Sequence, residues 1–146
     1  MPTIPLNQPE GEAGFEVVEH TADWALRVWG RSLRELFTSA STGMSSLLVA
    51  DLESIPLDIE RYLELDAFDA ETLLVDWLSE LAYWAEDEQI VFREFALEIN
   101  SNNALAATIR GGRADELVKH IKAVTYHNLA IEKTEYGVEA TIVFDV

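Results

Sequence analysis

Asp145 follows an apolar run, where its carboxylate could take part in binding a cation. The residues before it, Thr141 to Phe144, are β-branched or aromatic and predict a β-strand. Alternation along that strand places Ile142 and Phe144 on one face, so Asp145 projects from the other face. A chain that ends inside a strand holds its last residues in place. We therefore expect Asp145 and Val146 to occupy fixed positions.

A second carboxylate, Asp23, lies in the polar segment His20-Thr21-Ala22-Asp23, which separates two short apolar runs typical of strands. If this turn lies beside the end of the last strand, Asp23 and Asp145 come close, and neighbouring carboxylates repel unless a proton or a cation lies between them. A hard divalent ion is the expected occupant. Ca²⁺ accepts about 6–8 oxygen ligands and Mg²⁺ about six, so main-chain carbonyls and the Val146 carboxylate could complete the shell. In the alternative interpretation, Asp23 only caps backbone groups of its own turn.

The segment Lys122-Ala123-Val124-Thr125-Tyr126-His127 is the third polar cluster. Lys122 could balance two carboxylates or reach a partner's carboxylate or a nucleotide phosphate; alternatively, it is an ordinary surface lysine. Thr125 and His127 share one strand face, from which His127 could hydrogen-bond a carboxylate that binds the metal. A histidine satisfied within the sheet is an equal alternative for His127, and His20 has the same two interpretations. The spacing of the three histidines does not indicate a zinc site.

Hydrophobic periodicity predicts two helices. The first opens with a capping box at Ser32 and Glu35 and continues to about Ala50. Asp69 is expected to cap the second, which ends in the acidic run Glu86-Asp87-Glu88. Strands are predicted at 15–18, 24–29, 57–67, 91–99, 104–110, 123–132 and 138–144.

Two helices interspersed among these strands predict a single α+β domain. We expect both helices on one side of a mostly antiparallel or mixed sheet of about seven or eight strands. Gly111-Gly112 is expected to end a strand, and residues 113–121 form either a short helix or an irregular crossover. The domain is expected at residues 15–146, after a flexible, proline-containing arm at residues 1–14.

The chain is strongly acidic. Ten Lys and Arg against 27 Asp and Glu give a net charge of -17, which disfavours direct binding to RNA because phosphate contacts need cations. The acids are concentrated between Asp58 and Glu88, over the second helix and the strand before it. This negative field suits a basic protein partner or a cation, although a solvated face is the alternative. Without cysteine or a long apolar segment, the chain is expected to be a soluble, cytoplasmic protein.

Five segments together resemble the archease family. They are HTAD at residues 20–23, GRSLRELF at 30–37, LLVDWLSEL at 73–81, KAVTYH at 122–127 and FDV at 144–146. The resemblance implies an accessory protein for the GTP-dependent RNA ligase of tRNA splicing and RNA repair, promoting guanylylation and multiple turnover of that ligase. It also implies a metal site on Asp23 and Asp145, with calcium expected first and magnesium second, and a functional role for Lys122.

The resemblance leaves two other functions open. The same carboxylates could serve a stand-alone metal-dependent hydrolase or phosphodiesterase, although no nucleotide-binding loop or serine elbow accompanies them. The chain could also be a chaperone-like interaction module that docks through its acidic helix. The expected partner is the protein ligase, with indirect association with tRNA, no sequence-specific nucleic-acid binding and no membrane.

Overall fold

The computed structural model describes residues 13–19 and 23–146. Its elements in chain order are β1 (Gly14–Glu19), β2 (Trp24–Gly30), α1 (Leu33–Leu48), a short 3-10 turn (Leu52–Ser54), β3 (Ile59–Asp66), α2 (Ala70–Glu88), β4 (Ile90–Ile99), β5 (Ala104–Arg113), β6 (Ala123–Thr125), β7 (Glu132–Lys133) and β8 (Val138–Asp145). The arm expected at residues 1–14 lies mostly outside the described residues. Its last residue, Gly14, is already the first residue of β1 and pairs with Trp29 of β2.

The eight strands of the described ranges form two antiparallel sheets. The first sheet has the order β1-β2-β8-β6, and β7 also pairs with β8; the second has the order β3-β5-β4. Helix α1 packs against β2 of the first sheet and β4 of the second, while α2 contacts β4 and β6. The predicted α+β domain is confirmed. The helices are packed on two sheets, whereas we expected one, because alternation identifies strands but not their pairing partners.

Both helices begin where the sequence predicts. The Ser32 hydroxyl oxygen accepts a hydrogen bond from the Glu35 N–H at 3.2 Å, and Asp69 accepts one from the Thr72 N–H at 2.8 Å. Hydrogen bonds from Arg31 hold the pKa of Glu35 below its usual value, and the bond from Thr72 similarly lowers the pKa of Asp69. In a reciprocal capping box the Glu35 carboxylate would accept a hydrogen bond from the Ser32 N–H. Here it accepts one from the Arg31 N–H instead.

A buried hydrogen-bond chain joins the two helices. The indole N–H of Trp77 in α2 donates to the Ser41 hydroxyl oxygen of α1 at 2.7 Å. That hydroxyl in turn donates to the Phe37 carbonyl oxygen, also at 2.7 Å. Trp77, Ser41 and Phe37 are all fully buried, so the polar groups inside this interface have the partners that burial demands.

The predicted end of β5 is wrong. Gly111 and Gly112 do not end the strand but lie inside it, because β5 continues to Arg113. Gly111 is opposite Phe92, where the β4 register shifts, and a Cβ atom on residue 111 would overlap the Val91 carbonyl oxygen. Glycine therefore marks close backbone approach at this bulge.

The predicted strand over residues 123–132 is also wrong. Strand β6 stops at Thr125, and a turn follows in which the Leu129 N–H donates to the Tyr126 carbonyl oxygen at 3.0 Å. Asn128 has a φ of 52° in this turn, a left-handed conformation that asparagine tolerates better than most residues. Residues 114–122 contain neither helix nor strand, so the irregular crossover is the alternative that the structure supports.

Candidate metal centre at the strand ends

The ends of three neighbouring strands meet at one edge of the first sheet. Phe144 of β8 pairs with Trp24 of β2 on one side and with Val124 of β6 on the other. Asp145, one residue further along β8, is opposite Ala123. Asp23 immediately precedes Trp24, so the antiparallel register brings its backbone towards Asp145.

Asp23 and Asp145 line one shared pocket of about 250 Å³. Ile142 and Phe144 are fully buried, whereas Asp145 is exposed, so Asp145 projects from the solvent side of β8 as alternation predicts. The remaining lining residues are Thr125, His127, Val143 and Phe144. The fold thus brings together two sequence-distant carboxylates, a hydroxyl and an imidazole-bearing residue.

Thr125 fixes the wall of this pocket. Its hydroxyl donates to the Val143 carbonyl oxygen at 3.0 Å and accepts a hydrogen bond from the His127 N–H at 3.2 Å. These bonds connect β6 to β8 and hold the start of the following turn. Because the Thr125 hydroxyl accepts from the His127 N–H, it positions the His127 backbone. The His127 ring is exposed, and its Nε2 atom lies 3.3 Å from the Asn128 side-chain nitrogen.

Lys122 lies on the other side of the same strand edge. Its N–H donates to the Asp145 carbonyl oxygen at 2.7 Å, which extends the β6–β8 pairing by one bond. Its exposed side chain lines a separate pocket of about 240 Å³ beside α2, with Ser79, Tyr83 and Glu86. Lys122 is therefore adjacent to Asp145 through the backbone without lining the Asp23–Asp145 pocket.

Comparison with known proteins identifies the family. The sequence model of the archease protein family (MTH1598/TM1083) matches residues 15–146. The chain belongs to the archease family. Protein archease of Methanosarcina barkeri is 38% identical over 140 residues, covering 90% of this chain and 95% of that protein. Protein archease of Archaeoglobus fulgidus is 35% identical over 136 residues, covering 90% and 98% respectively.

Solved structures agree with this archease fold. The solution structure of Methanobacterium thermoautotrophicum protein 1598 has a TM-score of 0.78 at 29% identity, covering 91% of this chain and 99% of that one. The crystal structure of a Thermotoga maritima archease, described as a possible chaperone, has a TM-score of 0.61 at 24% identity, covering 90% and 96%. This second likeness concerns the fold alone.

The donor atoms at the archease strand ends suit a hard cation. Asp23, Asp145 and Thr125, which line the pocket, have oxygen-bearing side chains, and calcium and magnesium prefer oxygen ligands. Within residues 13–19 and 23–146, no group of three or more His, Cys, Asp and Glu side chains could hold a metal ion. An ion here would therefore need main-chain carbonyls, water or groups from a partner.

The other two predicted site residues are Val146 and His20. The Val146 side chain is half-buried and packs against the hydrophobic core, which holds the residue after Asp145 in place. His20, together with Thr21 and Ala22, lies outside the described residues. Its predicted role thus stays a prediction from the sequence.

A cation–π contact adjoins Asp23 and was not anticipated. The Lys119 Nζ atom lies 3.9 Å from the centroid of the Trp24 ring, so the crossover before β6 is anchored beside the start of β2. Nothing in the spacing of Lys119 and Trp24 indicates this contact, because it depends on the path of an irregular segment.

Neither helix of the described ranges combines the length and apolar character that crossing a membrane requires.

Proposed function

We propose that this archease-family protein activates a GTP-dependent RNA ligase of tRNA splicing and RNA repair in the cytoplasm. It would promote guanylylation of the ligase and allow repeated turnover, without catalysing ligation itself. The observation that carries this proposal is the shared pocket of Asp23 and Asp145 at the strand ends, in a chain whose family is established. Homologues named archease support an accessory role.

Asp23 and Asp145 would hold a divalent metal ion, calcium first and magnesium second. When bound, such an ion would supply positive charge able to attract phosphate or carboxylate oxygens of the ligase–nucleotide complex. Thr125 would keep the pocket wall fixed through its bonds to Val143 and His127. The protein would contribute a rigid arrangement of ligands at the edge of a sheet, which costs little conformational entropy on binding.

Activation requires the chain to bind one state of the ligase more tightly than another. A protein with a net charge of -17 has little attraction for RNA phosphates. Its association with tRNA would therefore be indirect, through a ligase surface carrying positive charge. The pocket at the strand ends and Lys122 are adjacent along the backbone, so both could contact the ligase, with Lys122 reaching a carboxylate of the ligase or a nucleotide phosphate.

The direct test combines purified cognate ligase, GTP and this chain. We expect faster ligase guanylylation and more than one ligation event per ligase molecule when the chain is present. Failure to stimulate the cognate ligase would contradict the proposal. Hydrolysis of a phosphate ester by this chain alone, abolished by a chelator, would instead support the hydrolase alternative.

Lys122→Ala is expected to separate partner contact from metal binding. Stimulation should require about tenfold more protein or worse, because a hydrogen bond involving a charged group contributes about 1.5–3 kcal/mol. Calcium affinity measured by titration calorimetry should stay unchanged, since the Lys122 side chain lines the other pocket. Lys133→Ala, an exposed lysine of β7, is the matched control and should leave both quantities unchanged. Loss of calcium affinity in Lys122→Ala would contradict this division of roles.

A further inference from the structure

One face of the second sheet, here called its outer face, carries mainly exposed and half-buried side chains. Along β3, the residues Glu60, Tyr62, Glu64 and Asp66 are exposed while those between them are half-buried. In β4, Glu94, Ala96 and Glu98 are the exposed positions of the same alternation. The buried residues of the opposite face, such as Leu97, Leu105 and Ile109, belong to the core.

A groove runs along this outer face because the central strand carries small side chains. Strand β5 contributes Ala104 and Ala106, which pair with Asp66 and Glu64 of β3, and Ala106 also pairs with Glu98 of β4. The groove has a volume of about 710 Å³ and extends to Asn100. The outer strands are two strand spacings apart, roughly 9.6 Å, so the floor is open to an extended chain or to long side chains.

The two ends of this face differ in charge. At one end Arg110 lies between two acids, 2.8 Å from Glu94 and 3.9 Å from Glu60. At the groove end, Glu64, Asp66 and Glu98 form no salt bridge with any cation of the described ranges. The exposed Arg34 of α1 lines an adjoining hollow of about 410 Å³ together with Glu98, so one cation borders the groove at that margin.

Two exposed aromatic side chains flank the acids. Tyr62 is 62% exposed, and its hydroxyl donates to the Glu64 carboxylate at 2.7 Å. Phe68 is 84% exposed. The residue before it, Ala67, is held beside the groove because its N–H donates to the Asn103 carbonyl oxygen. Aromatic rings next to carboxylates offer both cation–π and ionic contacts to a lysine or arginine.

We propose that this groove is a docking surface for an extended, lysine- or arginine-bearing segment of a protein partner. The alanine floor admits the segment, the carboxylate walls attract its cations, and the tyrosine ring gives those cations a face to stack on. Phosphate-rich partners are repelled by the same carboxylates. The surface lies on the sheet that does not carry the Asp23–Asp145 pocket, so the proposal does not depend on the proposed function.

Nuclear magnetic resonance titration of the full ¹⁵N-labelled chain tests this assignment. The probe is a short synthetic peptide that alternates lysine and threonine, and the reference is the same peptide with glutamate in place of lysine. We expect the lysine peptide to shift the amide signals of Ala104 and Ala106, which line the groove, and to leave that of Asp145 unchanged. The glutamate peptide should shift none of them.

A matched pair of triple variants separates the groove from the general negative field. Glu64→Gln, Asp66→Asn and Glu98→Gln remove three charges from the groove, whereas Asp76→Asn, Glu80→Gln and Glu88→Gln remove three from α2. The groove variant should bind the lysine peptide about tenfold more weakly, and the α2 variant should bind nearly as the parent does. Ala106→Leu, which fills the floor without changing charge, should also weaken binding.

Three outcomes would overturn the proposal. Equal weakening in the two triple variants would mean that only net charge attracts the peptide. Shifts centred on α2 would place the peptide elsewhere. Binding of spermidine at the groove without binding of the peptide would assign the surface to small cations. A thermal melt of each variant, unchanged from the parent, establishes that a loss of binding is not a loss of folding.

Discussion

Replacing Asp145 with asparagine is expected to abolish stimulation of the ligase and to remove most of the calcium affinity. Asparagine keeps the size of the side chain and one oxygen but loses the charge that attracts a divalent ion. Loss of a group that merely supports a metal ligand costs about 10–100-fold in affinity, so loss of a ligand should cost at least as much. Titration calorimetry with calcium and a guanylylation assay measure the two effects.

The control for Asp145→Asn is Asp115→Asn, which makes the same chemical change at an exposed position of the crossover. This control should retain stimulation and calcium affinity. Both variants should melt at the temperature of the parent in the absence of metal, because Asp145 is exposed. Full stimulation by Asp145→Asn would refute the role assigned to the strand-end pocket. A large fall in melting temperature would assign Asp145 a structural role instead.

Replacing Trp77 with alanine is expected to have the largest effect on stability. Trp77 is fully buried, and truncating a buried Trp or Phe typically lowers the free energy of unfolding by about 3–5 kcal/mol. The variant also leaves the buried Ser41 hydroxyl without the donor that now lies 2.7 Å away. Urea unfolding monitored by circular dichroism should show a lower midpoint at an unchanged slope.

Trp84→Ala is the comparison on the same helix. Trp84 is only half-buried and packs at the margin of the core, with Arg61 5.1 Å from its ring centroid. Because less apolar area returns to water, its loss of stability should be less than roughly half that of Trp77→Ala. An equal loss in both variants would contradict the inference that the Trp77–Ser41 pair is central to the joining of the helices.

The features predicted correctly from the sequence are those set by nearby residues. Ser32 and Asp69 cap the helices because a side-chain oxygen reaches an N–H only three positions away. The face of Asp145 follows from strand alternation alone. The division into two sheets was not predicted, because it depends on β3 pairing with β5 across the whole length of α2, and local pattern carries no such information.

Other differences have equally specific causes. The run after Val124 has strand-forming residues, yet Thr125 uses its hydroxyl to bond two backbone groups and the chain turns. In the sequence, Gly111 is typical of a strand end. In the structure, it lets the backbones of β4 and β5 approach closely at Val91. For the candidate site, the proximity of Asp23 and Asp145 was expected. The position of Lys122 in a different pocket was not expected, because it depends on how β6 packs against α2.

The position of Lys122 sets a requirement for the shape of any partner. Asp145 projects from the solvent side of the sheet, whereas Lys122 lines the pocket on the helix side, and a single backbone hydrogen bond of 2.7 Å joins the two residues. Because β6 is an outermost strand, a molecule touching both side chains must enclose the rim of the sheet. A partner that contacts both side chains would therefore meet this rim from both faces of the sheet.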